Sequence, residues 1–232
     1  MRDLARMATI DRDLETRRDP LDEVGLLAAV DLLAASDVDL ARIVERHGPP
    51  PLWPRDPGFQ TLVRIILEQQ VTLSSGEAAF GRLEQAAGAI EPAALVRLGV
   101  EGARRAGLTR QKARYVVSLA QAVLDGTLDL EAVADITDDA ARTALLAVPG
   151  IGPWTVDVYL LMALRRPDVW PTADIALAAS AQFVKRLPQR PTFGELDVLA
   201  EAWRPWRAVA ARLLWHSYLS GDRPPRSNGG TG

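Results

Sequence analysis

Two glycines flank a single isoleucine in the run Leu145-Leu146-Ala147-Val148-Pro149-Gly150-Ile151-Gly152-Pro153-Trp154-Thr155, which constrains the fold more than any other stretch. Glycine adopts backbone conformations closed to other residues, so Gly150 and Gly152 allow a tight hairpin with bare N–H groups facing outward. From Thr155 to Leu164 the chain is apolar with helical spacing, so those groups also lie at a helix N-terminus, where the dipole favours an anion. Phosphates of a nucleic-acid backbone meet that description. A glycine pair before an apolar helix is also, by itself, an ordinary interhelical turn. One helix further on stands Pro171-Thr172-Ala173-Asp174-Ile175-Ala176-Leu177, which sets a lone carboxylate ahead of a second apolar stretch. Thr172 or Asp174 can also simply cap the helix that starts there.

The rest of the chain reads as helix almost throughout. Ala, Leu and Arg dominate, apolar residues recur at three and four, and no alternating run of strand length occurs. Start signals are Asp56-Pro57 before Phe59–Gln70, Glu91-Pro92 before Ala93–Leu98, and Thr137-Asp138-Asp139 before Ala140–Leu146. Breaks fall at Gly48-Pro49-Pro50-Pro51, near Gly88, at Gly107, at Gly126 and at Leu187-Pro188. The expectation is an all-α protein of about twelve short helices, with a disordered Gly/Pro-rich tail over 221–232.

With 232 residues, 48% hydrophobic and 25% charged, the chain can bury one large core or two small ones. No apolar run approaches the roughly 18 residues of a membrane span, and Arg2, Asp3, Arg6 and Asp11 leave no signal-peptide core. No membrane partner and a cytoplasmic location, nucleoid-associated in a bacterium, are expected. Zero cysteines exclude disulfides, thiolate zinc sites and an iron–sulfur cluster. A net charge of −3 weighs against a broad electrostatic grip on nucleic acid. Its distribution softens this: residues 1–60 hold 8 of the 27 Lys/Arg and 12 of the 30 Asp/Glu, leaving 19 against 18 elsewhere. Arg104, Arg105, Arg110, Lys112 and Arg114 form the one dense basic cluster, which reads equally as a solvated helix face. Binding a few phosphates through backbone N–H groups needs little net positive charge.

The hairpin followed by a Gly/Pro-rich stretch and an Asp resembles the helix-hairpin-helix (HhH-GPD) DNA glycosylase superfamily. Three further segments are similar to its 3-methyladenine DNA glycosylase II (AlkA) branch: Leu62-Val63-Arg64-Ile65-Ile66-Leu67-Glu68-Gln69-Gln70-Val71-Thr72, Gly107-Leu108-Thr109-Arg110-Gln111-Lys112-Ala113-Arg114, and Trp203-Arg204-Pro205-Trp206-Arg207 with Leu214-Trp215. The resemblance implies two helical lobes flanking a cleft. Residues 58–173 would form the middle lobe, and 20–57 with 174–220 the other, after an N-terminal segment 1–19. Larger bacterial members carry an N-terminal β domain; residues 1–57 read as helical, which implies a version without it.

The activity so implied is excision of a base from DNA, which requires the nucleotide to leave the stack first. Asp174 would be the catalytic carboxylate, stabilising an oxocarbenium-like sugar and orienting water. Gln70, with Gln69 beside it, would plug the vacated duplex; the pair can equally cap or brace the turn over 70–74. Trp154, Trp215, His216, Phe59 and Trp53 would wall the base pocket, whose electron-rich faces suit cationic alkylated purines by roughly 0.5–2 kcal/mol. Any one of the six tryptophans is also a natural core residue, and Trp203 and Trp206 are expected to pack the C-terminal helix. Val148, Gly150, Ile151, Gly152, Thr155 and Lys112 would hold the DNA backbone, with a monovalent Na+ or K+ on carbonyls near Val148 and Ile151. Asp157 is read as a surface or buried hydrogen-bonding residue.

Bifunctional members keep a Lys where this chain has Trp154, and its amine forms a Schiff base with the sugar. With Trp there, the resemblance implies a monofunctional, monomeric enzyme, without organic cofactor, that releases 3-methyladenine- or 7-methylguanine-type bases from double-stranded DNA and leaves an abasic site. Two alternatives remain: a same-fold glycosylase for deaminated or oxidised bases, and a binding module without catalysis, which would have no need of Asp174 and Trp215 together. Two departures from the family pattern stand out. Glu68 replaces a common Gly before the Gln pair, and Ala178-Ala179-Ser180 replaces common basic residues after the Asp.

Overall fold

Polar caps and glycines cut the chain into helices where the sequence places them. The computed structural model describes residues 20–222, so the N-terminal segment 1–19 and residues 223–232 of the expected tail lie outside it. Among the described residues there are twelve α-helices, one 3-10 turn and no strand. They group into two units, one being Pro54–Leu164 and the other joining the chain up to Trp53 with the chain from Arg165. The crossing points thus fall at 53/54 and 164/165, against the 57/58 and 173/174 read from sequence. Backbone bonds account for the second of these: Leu21 N–H donates to Arg165 O at 2.8 Å, and Ala208 N–H to Pro167 O at 3.1 Å.

The discontinuous unit opens with α1 (Glu23–Ser36) and α2 (Val38–His47). The continuous unit contains α3 (Phe59–Glu68), α4 (Leu73–Ala87), α5 (Pro92–Arg105), α6 (Arg110–Leu124), α7 (Leu130–Asp135), α8 (Asp138–Leu146) and α9 (Pro153–Met162). The first unit then resumes with α10 (Ile175–Val184), α11 (Phe193–Ala200), the 3-10 turn Glu201–Trp203 and α12 (Arg207–Leu219). Threonine side chains cap α4, α6, α8 and α11, and Pro92 and Pro153 open α5 and α9, where a missing N–H costs nothing. Inside α5, Gly99 has φ 66° and ψ 173°, which divides it in two.

In the continuous unit, α3 is the central helix. Its Leu62, Val63, Ile65, Ile66 and Leu67 are wholly buried, and α4, α6 and α9 pack on it. Burying each such side chain is worth about 1.5–3 kcal/mol, so this one helix supplies much of the unit's cohesion. Its end comes earlier than the sequence implied. Gln69 turns to ψ 126° and Gln70 to φ 56°, so helix geometry stops at Glu68. Glu68 itself is buried and accepts both Arg55 guanidinium nitrogens, at 2.9 and 3.0 Å. Gly76 of α4 makes room for it, since a Cβ there would lie 2.8 Å from Glu68 Cγ.

In the other unit α12 is central, with Ala208, Val209, Ala210, Ala211, Leu213 and Leu214 fully buried against α10, α2 and α1. Arg212 is buried among them, donating to Leu52 O and Ala208 O, and burial pushes its pKa down to about 10. Asp37 caps α2 and also accepts from Lys185 at 2.6 Å and from the Trp203 indole at 2.9 Å. Burial alone would raise this carboxyl's pKa, but those donors outweigh it and hold it below the ordinary value. Trp203 accordingly packs in the core, against Trp170. Gly221 and Asp222, expected in the tail, belong to this unit: Asp222 N–H donates to Ser217 O, and its carboxylate meets His47 Nε2 at 2.6 Å.

Candidate active site

The hairpin joins α8 to α9 with its Val148 and Ile151 side chains turned inward. Val148 and Ile151 are each 5% exposed, so only their backbones can meet a ligand. Gly150 has φ 96°, and a Cβ there would fall 2.1 Å from Cγ of Tyr115 on α6, so both conformation and contact require glycine. Gly152 does not share that reason. It has φ −96° and ψ 174°, a conformation open to any residue, and no atom lies within 4 Å of where its Cβ would be. The expectation that both glycines serve the backbone conformation is therefore corrected for Gly152, whose bareness faces open space.

The donors of the hairpin are also rearranged. Ile151 N–H does not face outward, because it donates to Val148 O at 3.1 Å and closes the turn. Further donors lie from Gly152 onward, where α9 begins and the first-turn N–H groups lack helical acceptors. The Thr155 side chain is turned inward too: it is 1% exposed, and its Oγ1 accepts from Gln69 Nε2 at 2.8 Å. The same Gln69 nitrogen donates to Gly150 O at 3.1 Å. Gln69 thus braces the hairpin from across the unit. Thr72, and not the Gln pair, caps α4. Gln70 is exposed, at the tip of the turn.

Lys112, expected on the DNA backbone, donates its ammonium to Leu67 O at 2.6 Å, and burial lowers its pKa. It closes the last turn of α3. Arg142 of α8 pairs with the buried Asp157 of α9, which fastens the two hairpin helices together. Trp154 is half-buried in the first turn of α9, and Phe59 is a core residue at the start of α3.

In the discontinuous unit, Asp174 is 7% exposed and caps α10, accepting Leu177 N–H on Oδ1 at 2.8 Å. The Trp215 indole N–H reaches the same oxygen at 3.4 Å, a longer and weaker bond. The helix-cap and charge-bearing readings of Asp174 therefore describe one geometry. Its neighbour Ala173 has φ 57° and so turns the chain into the cap. Trp53 and His216 meet edge-on at 6.3 Å, and His216 Nε2 lies 3.1 Å from His47 O, so that nitrogen carries the proton. Ala178, Ala179 and Ser180 are buried, with Ser180 Oγ donating to Leu214 O at 2.7 Å. Small residues replace basic ones there because α12 packs against them.

Among the described residues no group of three or more His, Cys, Asp or Glu could hold a metal. The Val148 carbonyl keeps a second lone pair beyond the one Ile151 uses, so neutral oxygen donors suited to an alkali cation exist at the hairpin.

Residues 63–207 match the model for the HhH-GPD superfamily of base excision DNA repair proteins. The YfjP protein of Bacillus subtilis (strain 168) is 27% identical over 190 residues, covering 78% of this chain and 66% of YfjP. DNA-3-methyladenine glycosylase 1 of Schizosaccharomyces pombe is 26% identical over 187 residues, 79% of this chain and 82% of that protein. Among solved structures, 3-methyladenine DNA glycosylase Mag1 of Schizosaccharomyces pombe, in complex with abasic DNA, aligns with TM-score 0.79 and 25% identity over 85% of this chain and all of Mag1. Against YfjP and two further curated relatives the chain spans 66%, 36% and 32% of their lengths. The matched family segment runs from α3 through the hairpin and Asp174 to the start of α12, and the chain belongs to the HhH-GPD superfamily of base excision DNA repair proteins.

Proposed function

We propose that this protein is a monofunctional DNA glycosylase that releases alkylated purines of the 3-methyladenine and 7-methylguanine type from double-stranded DNA. The observation that carries the reading is the Asp174 carboxylate, buried and fixed by a helix N-terminus and an indole N–H. As the C1′–N bond breaks, its electron pair leaves with the base, and positive charge spreads over C1′ and the ring oxygen. A carboxylate already oriented and shielded from water stabilises that charge without reorganising. It can then accept the proton of the water that attacks C1′. A cationic alkylated base leaves neutral and needs little acid assistance.

The names of the relatives and the DNA held by Mag1 support this reading. The Gly152–Thr155 backbone would take the DNA phosphates, with Gln70 entering the duplex. A Na+ or K+ on the Val148 and Ile151 carbonyls would supply positive charge beside a phosphate. No lysine stands at position 154, so base release would leave an abasic site in an intact strand. The test is incubation with methylated duplex DNA, followed by chromatography of released bases and alkali cleavage of the strand. Release of 3-methyladenine or 7-methylguanine, with strand breaks only after alkali, is expected; no release of any base overturns the proposal.

A further inference from the structure

Gln69 and Gln70 are adjacent, yet the structure gives them different surroundings. Gln70 is exposed and holds a positive φ of 56°. Gln69 is half-buried, and its amide nitrogen spans two points of the hairpin, Gly150 O and Thr155 Oγ1. A carbonyl oxygen only accepts, so the contact with Gly150 fixes which end of the amide faces the hairpin. The Gly150–Ile151 peptide is thereby pinned on both sides, its oxygen by Gln69 and its N–H by Val148 O. Helix α6 backs the same arrangement: Lys112 holds the last turn of α3 through Leu67 O, and Tyr115 lies directly under Gly150.

We infer that Gln69 is a positioning residue that ties the Gln70 turn to the hairpin, so that gripping the phosphate and inserting Gln70 occur as one event. The inference rests on the duplex-binding reading above. Its chemistry is specific. An isosteric thioether at 69 keeps the shape and loses both hydrogen bonds, whereas a carboxylate would face the Gly150 carbonyl with no proton to offer. A residue that only braced the hairpin would alter affinity alone. A residue that links the two must also alter how far the nucleotide is displaced once DNA is fully bound.

The experiment uses the full chain and a duplex carrying 2-aminopurine beside an abasic site, whose fluorescence rises when stacking is disrupted. Gln69→Met is compared with the unaltered protein for affinity and for fluorescence amplitude at saturation. Expected are an affinity loss of about tenfold, the scale of one or two hydrogen bonds, and a clearly reduced amplitude at saturating protein. Thr155→Val, which removes one of the two hairpin partners, should give part of the same defect, and the double variant should be no worse than Gln69→Met. Full amplitude at saturation in both single variants, or additive defects in the double variant, would overturn the link. If Gln69→Met fails to fold, Thr155→Val alone decides by the same amplitude. A protein that binds no duplex at all would overturn the functional reading and this inference with it, which separates the two failures.

Discussion

In the hairpin the Val148, Ile151 and Thr155 side chains are buried and their backbone is what remains for a ligand; at Asp174 the neighbouring backbone is occupied in a helix cap and one side chain carries the charge. The hairpin therefore depends on what is missing, a Cβ at Gly150 and at Gly152, whereas the Asp174 corner depends on a single group being present. A surface made of backbone tolerates changed neighbours but not added bulk. A site made of one buried carboxylate is most sensitive to loss of its charge.

The largest effect should come from the charge. Asp174→Asn keeps an oxygen for Leu177 N–H, so the melting temperature should hold while base release falls by about a hundredfold or more. Comparable activity in the variant would dissolve the contrast, because the corner would then be only a cap. At the hairpin, Gly150→Val should destabilise by roughly 1–3 kcal/mol, since it adds strain at positive φ and a clash with Tyr115. Gly152→Val should leave thermal unfolding unchanged and weaken binding to every duplex, damaged or not. A lesion-selective loss would place Gly152 at the base instead of the backbone.

Asp37 offers a test away from both regions. Its folded pKa lies below the ordinary 3.8, so its contribution is present above that value and is lost as pH falls through the folded pKa. Asp37→Asn should cost about 1–2 kcal/mol in chemical denaturation at neutral pH. The difference should shrink below pH 3.8, and any base release by the folded variant at neutral pH should match that of the unaltered protein. The smallest signal is that of Trp154→Lys, which should yield a trace of borohydride-trapped DNA adduct where the unaltered protein yields none. A trapped adduct in the unaltered protein would contradict monofunctional chemistry.

Glycines and prolines made the helical layout readable, because they act on the backbone locally. Gly150 was legible for that reason, and so was the neighbourhood of Asp174. Gly152 was misread because its φ of −96° and open surroundings depend on the fold around it, and the sequence pattern of two glycines looks the same either way. Gln69 was out of reach for another reason: its partners lie 81 and 86 residues away, and nothing in the neighbourhood of an amide names a distant acceptor. Lys112 was placed on the DNA backbone by the resemblance, and its bond to Leu67 O, 45 residues back, could not be read from its neighbours. Distance in sequence likewise hid the Asp37–Lys185–Trp203 cluster and the hold of His47 on Asp222.

The Arg55–Glu68 pair bears on how such chains diverge. Glu68 is its buried member and Arg55 its partly exposed one, so removing Arg55 strands a buried carboxylate, whereas removing Glu68 leaves an arginine that can reach water. Glycine at 68 also removes the Cγ that a Cβ at 76 would meet at 2.8 Å, but the residue 68 Cα stays 3.1 Å from that position, so glycine at 76 is favoured either way. A glutamate at 68 should therefore be inherited with arginine at 55 and glycine at 76, while a relative with glycine at 68 is free to vary at 55, and a graft of the Gln-rich turn that carries Glu68 needs the other two with it.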